Sequence, residues 1–180
     1  MSSRIWKSIQ FWLRNPVLTY AARPAVAVVA SFLVARILTL PEAYWAAIST
    51  LVVTQSAPGT ASSIAGRRFL GTAVGAMLAT ALAICLRPGI WVVGAGILLL
   101  GLIFTALGRA HQRLRDQLDR TTYRFAGITL AIVLLIPRSV PVWVAALHRF
   151  LEVSTGIAVA LALTFLWPEC PDDKPQETVK

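Results

Sequence analysis

Residues 67–108 read RRFLGTAVGAMLATALAICLRPGIWVVGAGILLLGLIFTALG, two apolar runs that carry three arginines and no acid. At 1.5 Å per residue, the runs 67–86 and 89–108 each reach about 30 Å, the thickness of a bilayer's hydrocarbon core. Pro88-Gly89 separates them, so the segment reads as two consecutive membrane-spanning helices.

The same pattern continues on both sides. Further runs cover 21–40, 43–57, 122–137 and 142–167, and the expected fold is all-α, a polytopic six-helix transmembrane bundle over 21–167. Pro24 is expected in the first turn of the first span, where its missing N–H costs nothing, with Pro41 stopping that span. Pro58-Gly59 ends the second run, and Pro137 and Pro141 bracket the fifth turn. Hydrophobic residues make up 57% of the 180 and charged residues 14%, too little polar surface to coat a soluble core of this size. Six spans leave no room for a soluble catalytic or nucleotide-binding domain. Function has to sit between the helices or in a partner.

The net charge of +9 would suggest nucleic acid in a soluble chain. Here the arginines stand at the ends of apolar runs, which fits anionic lipid headgroups and the positive-inside bias instead. Charge also decides whether the short run 43–57 crosses. If it does, Arg4, Lys7, Arg14, Arg23, Arg67, Arg68, Arg109, Arg113, Arg115, Arg120, Arg124, Lys174 and Lys180 are inside, and only Arg36, Arg87, Arg138 and Arg149 are outside. A re-entrant run would reverse Arg67, Arg68 and the five arginines from Arg109 to Arg124. Both termini are therefore expected in the cytoplasm. Trp45, Trp91 and Trp143 then fall at the outer headgroup level and Trp6, Trp12 and Trp167 at the inner one.

Residues 1–20 are expected to form an interfacial amphipathic helix: Ile5, Ile9, Trp12 and Leu13 recur at helical spacing, while Lys7 and Arg14 argue against a cleavable signal peptide. Residues 168–180, with Pro168, Pro171 and Pro175 among charges, read as a disordered cytoplasmic tail. Between Arg109 and Arg124, the i,i+4 pairs Arg115–Asp119 and Asp116–Arg120 suggest a helical extension into the cytoplasm.

Small residues repeat every four positions as Gly71, Gly75 and Ala79, as Gly101 and Thr105, and as Gly156, Ala160 and Thr164. Such stripes let helix backbones approach closely in lipid. No glycine-rich phosphate loop, paired-histidine metal spacing or nucleophile elbow occurs. His111 and His148 stand alone, and Cys85 and Cys170 fall near opposite ends of the bundle, against a disulfide or a metal site. No enzyme, catalytic residue, metal or cofactor is expected.

Polar groups at membrane depth carry more information, because a charge there must face water, a partner or the headgroups. Arg36, near the outer end of the first span, either snorkels or lines an anion path. Arg149 and Glu152 are three apart on one helical face and can pair, with Glu152 as a proton-coupling carboxylate the sharper alternative. Gln55, Ser56, Thr60 and Arg68 surround the turn from the second span to the third, where a helix end and an arginine can hold a carboxylate.

Tyr44-Trp45-Ala46-Ala47-Ile48-Ser49, continued by Leu51-Val52-Val53-Thr54-Gln55-Ser56, is followed by Thr60, Arg67-Arg68, Gly71-Thr72 and Gly75, and later by Tyr123-Arg124-Phe125-Ala126-Gly127-Ile128-Thr129 and Arg149 with Glu152 and Gly156. In this order the chain resembles the fusaric acid resistance-type, or aromatic acid exporter-like, integral membrane proteins, over roughly Arg23 to Pro168. The resemblance implies a bacterial inner membrane location and export of small organic, including aromatic, acids, or an anion conductance like that of the distantly similar plant malate channels. It also implies proton-motive coupling, and it carries Arg67 or Arg68, Arg149 and Glu152 over as charged positions. Larger exporters of this kind have a second membrane half and a cytoplasmic domain. This chain has one half, so a homodimer is expected to close the pathway. The competing expectation is a non-transporting scaffold or accessory subunit that docks through the loop around Arg113 and Arg120.

Overall fold

A computed structural model describes residues 16–54, 60–110, 119–137 and 139–166. Its elements are helices: α1 (Pro16–Ile37), α2 (Tyr44–Thr54), α3 (Ala61–Cys85), α4 (Ile90–Ala110), α5 (Arg120–Leu135) and α6 (Val142–Leu166). Three of them, α3, α4 and α6, are long and apolar enough to cross a membrane, and α2 is a shorter apolar helix. The chain is thus an all-α bundle of membrane-type helices. The expected interfacial helix lies largely outside the described residues, as do the C-terminal tail and the loop residues 111–118.

Three boundaries differ from expectation, each for a local reason. α1 runs from Pro16, so Pro24 sits inside it rather than in its first turn; the ring removes the hydrogen bond to the carbonyl of Tyr20. α3 begins at Ala61, six residues before Arg67, with Thr60 at its N-cap; Ser62 and Ser63 hide this turn from an apolarity reading. Arg67 and Arg68 therefore lie about two turns inside the helix. The extension across residues 115–120 is interrupted at Asp119, whose backbone is extended (φ −78°, ψ 179°) and which N-caps α5. Arg115 and Asp116, the N-terminal members of the two expected pairs, lie outside the described residues.

Between α1 and α2 the chain turns through Thr39, a non-glycine residue with φ of 55°. Leu40 N–H donates to the Ala35 carbonyl and Thr39 N–H to that of Arg36, both at 3.0 Å, the bonding of a Schellman cap with threonine in the left-handed position.

α3 and α6 form the centre: α3 packs most extensively on α5, α6 packs on α2 and α3, and α1 rests on α2 and α6. α3 and α4, though consecutive, touch little; α4 joins the bundle through α5. There, Leu100 and Phe104 meet Leu130 and Tyr123, and the Phe104 and Tyr123 rings stand edge to face at 6.0 Å.

Glycine decides the two tightest seams. A Cβ on Gly71 would lie 2.5 Å from the Thr122 carbonyl oxygen, and one on Gly75 would overlap the Ala126 backbone, so α3 and α5 touch backbone to backbone. Gly156 does the same for α6 against Ala46 and Ser49 of α2, where Thr50 Oγ1 also donates to the Gly156 carbonyl at 2.9 Å. Ala79 and Ala160 are fully buried along the same helices. Thr164 is half-buried and donates to the Ala160 carbonyl. On α4, a Cβ on Gly101 would meet the Tyr123 ring at an ordinary 3.8 Å, and Thr105 is exposed, bonded to the Gly101 carbonyl of its own helix.

Candidate functional site

The buried face of α2 is Ala46, Ser49, Thr50 and Val53, and buried charges from two other helices converge beside it. Arg149, on α6, is 2% exposed and places its guanidinium carbon 3.7 Å from the Trp45 ring centroid. The desolvated cation thus rests on the negative face of an indole. Glu152, one turn along α6 and 1% exposed, accepts the Glu42 N–H through Oε1 at 2.9 Å. The Glu42 carboxylate in turn accepts the Trp45 indole N–H, also at 2.9 Å. Acids placed just before α2 satisfy donors at its N-terminus and suit its dipole.

Four residues along α2, Ser49 donates its hydroxyl to the Trp45 carbonyl at 2.8 Å and accepts from Arg68 Nη2 at 3.1 Å. Arg68, on α3 and 6% exposed, also lies 4.8 Å above the Phe125 ring of α5. Ser49 and Phe125 are both uncharged. The buried Nε of Arg68 has no hydrogen-bond partner, and among the described residues no carboxylate stands within ion-pair distance of it. A permanently charged group in a dry, neutral setting is costly unless an anion joins it.

Arg67 turns away from this cluster. It pairs with Asp119 at 2.7 Å, both partly exposed, and ties the second turn of α3 to the N-cap of α5. Asp119 also accepts the N–H groups of Thr121 and Thr122 and the Thr122 hydroxyl. Burial alone would raise its carboxyl pKa, but the Thr122 hydrogen bonds, the Arg67 charge and the Thr121 N–H together hold it below the usual carboxylate range.

Of the residues singled out in the sequence, Arg149 and Glu152 meet at the Trp45 end of α2, and Arg68 meets α2 at Ser49. Arg36 is exposed in the last turn of α1. Thr60 is exposed at the start of α3, while Gln55 and Ser56 lie outside the described residues. Several participants were not among the candidates: Glu42, Ser49, Phe125, and also Arg23, a further buried arginine on α1. Trp45 read as a headgroup residue, yet its ring is engaged by Arg149, whereas Trp91 is 89% exposed. Ser49 follows Trp45 by one helical turn, a spacing that puts both on one face and is visible in the sequence. Nothing local marks Phe125 as a neighbour of Arg68.

The described residues contain no group of three His, Cys, Asp or Glu side chains arranged to hold a metal. The cluster brings together buried guanidinium groups, carboxylates, a hydroxyl and aromatic faces.

No curated protein and no solved structure is significantly similar to the chain. The family described as fusaric acid resistance protein-like matches residues 27–163, from α1 to near the end of α6. That span includes every residue of the buried charge cluster bar Arg23, and with it the chain belongs to the fusaric acid resistance protein-like family.

Proposed function

We propose that this protein moves small organic anions, aromatic carboxylates among them, outward across a bacterial inner membrane. All six helices cross in this reading, α2 with the residues that follow Thr54, and the arginine-rich ends and both termini face the cytoplasm. In this reading two copies assemble, and the oligomeric state in detergent tests that part of it. The family and its membrane-type helices support transport in general, and the charge pattern supports the orientation.

The observation that carries the anion reading is Arg68: a guanidinium 94% buried between helices, with a hydroxyl and a phenyl ring for neighbours and an unpartnered Nε. A carboxylate can take the Nε edge and supply the missing charge.

The test is uptake of radiolabelled benzoate into vesicles carrying the purified chain. Replacing Arg68 by Gln removes a charged hydrogen bond worth about 1.5–3 kcal/mol, so flux falls roughly 10- to 100-fold. Arg67→Gln, on the adjacent but partly exposed position, retains flux within about twofold. Equal flux in wild type and a folded Arg68→Gln protein would overturn the reading. Absence of flux together with stable co-purification of a larger membrane partner would favour an accessory role.

A further inference from the structure

The buried charges divide into two groups along one side of α2. At the Trp45 end stand one buried guanidinium, Arg149, and two carboxylates, the buried Glu152 and the half-buried Glu42, joined through the indole and the Glu42 N–H. At the Ser49 end, one turn or about 6 Å further along α2, stands Arg68 with uncharged partners alone. Arg23 and Arg149 both have interactions of their own. On the contacts described, the Arg68 end carries one positive charge in excess and the Trp45 end, with one cation and two carboxylates, one negative charge.

Resting on the proposed anion transport, we infer that Arg68 is the station where the anion is held, and that its charge balance selects monoanions over dianions. One carboxylate binds the Nε edge of Arg68 while Nη2 keeps its bond to Ser49. That single negative charge neutralises the site. A second carboxylate on the same molecule would enter a buried region whose remaining charged neighbours, about two turns along α2, include Glu152 and Glu42, and whose aromatic wall, Phe125, presents a negative ring face. The second charge is repelled on both counts. The selectivity thus comes from the count of buried charges and not from the size of the cargo.

The experiment compares benzoate with benzene-1,4-dicarboxylate, at neutral pH, in vesicles holding the purified full chain with the membrane potential clamped at zero. Wild type favours benzoate in kcat/KM by at least about tenfold, equivalent to about 1.4 kcal/mol. Arg68→Lys keeps one charge and keeps the preference, and Arg68→Gln loses it. Glu152→Gln preserves an oxygen acceptor for the Glu42 N–H but adds one net positive charge to the cluster. It shifts the ratio toward the dianion by about tenfold or more. Equal kcat/KM for the two acids in wild type, or a ratio unmoved by Glu152→Gln, would overturn the charge-balance inference while leaving anion transport standing. No flux of either acid through folded protein would overturn both.

Discussion

Gly71→Ala and Gly66→Ala place the same methyl group on the same helix in opposite surroundings. At Gly66 nothing lies within 4 Å of the added Cβ, whereas at Gly71 it would lie 2.5 Å from the Thr122 carbonyl oxygen and 2.8 Å from Phe125 Cβ. Ordinary contact begins at 3.4 Å, so α5 must retreat by about 0.9 Å at this point. Its backbone cannot flex away as a side-chain tip would. Overpacking of this kind costs about 1–3 kcal/mol, while alanine in place of glycine gains up to about 1 kcal/mol of helix propensity at both positions. The propensity gain cancels in the comparison. Gly71→Ala is therefore expected to unfold about 2–10 °C below Gly66→Ala in detergent at one scan rate. Because Phe125 moves with α5, its contact with Arg68, now 4.8 Å, loosens too, and benzoate uptake falls in Gly71→Ala but not in Gly66→Ala. Indistinguishable melting temperatures for the two proteins would refute the backbone contact between α3 and α5.

Thr39 holds a left-handed conformation at the end of α1, so Thr39→Gly is expected to raise stability by about 1 kcal/mol, read as a higher melting temperature; a lower one would mean the threonine side chain has a compensating role. Trp45→Phe keeps a ring beneath Arg149 but removes the indole donor to Glu42, at a cost of about 1–3 kcal/mol in denaturant or thermal unfolding. For Asp119, whose carboxyl pKa is depressed in the folded protein, the sign is fixed: its stabilisation is present above the unfolded-state value near 4 and is lost as pH falls through the lower folded value. Asp119→Asn keeps a capping oxygen but not the pairing with Arg67, so it flattens this acid limb of the stability curve; an unchanged limb would assign the acid sensitivity to other groups.

Among the described residues, the six helices were legible because they need only the length of apolar runs and the prolines between them. Which neighbours they choose was not. α3 lies against α5 rather than mainly against α4, and the Gly71 and Gly75 pair shows that a contact exists without naming the partner. The same pair could have separated Arg68 from Arg67. Arg68, Gly71, Gly75 and Ala79 fall at helical spacing on one face, so a seam at the glycines draws Arg68 inward and sends Arg67, about 100° around the helix, toward Asp119. Pro24 was misplaced because its tolerance depends on where the helix begins, and the five residues from Pro16 to Tyr20 have no periodicity that marks them as helical. Trp45 was read by residue type alone, yet its surroundings are set by Arg149, a residue far away in sequence.

The short length of α2 gives a physical reason for the charges gathered around it. Its 11 residues rise about 16 Å, half of a hydrocarbon core of about 30 Å. Where neighbouring helices shield the first turn of α2 from water, its free N–H groups must be met by protein side chains. Glu152 serves the donor at Glu42 just before α2, and a carboxylate at that depth is tolerated with a cation nearby, which Arg149 on the next turn of α6 supplies. Arg149 in turn is shielded by the indole of α2 itself. The Trp45 end thus gathers charges of both signs around the start of a short helix. Arg68 answers no such demand: Ser49 is already satisfied as a donor by the Trp45 carbonyl, and α3, at 25 residues, is long enough to cross unaided. A buried charge that the fold does not need for its own backbone fits the role proposed for Arg68, that of meeting an anion from outside.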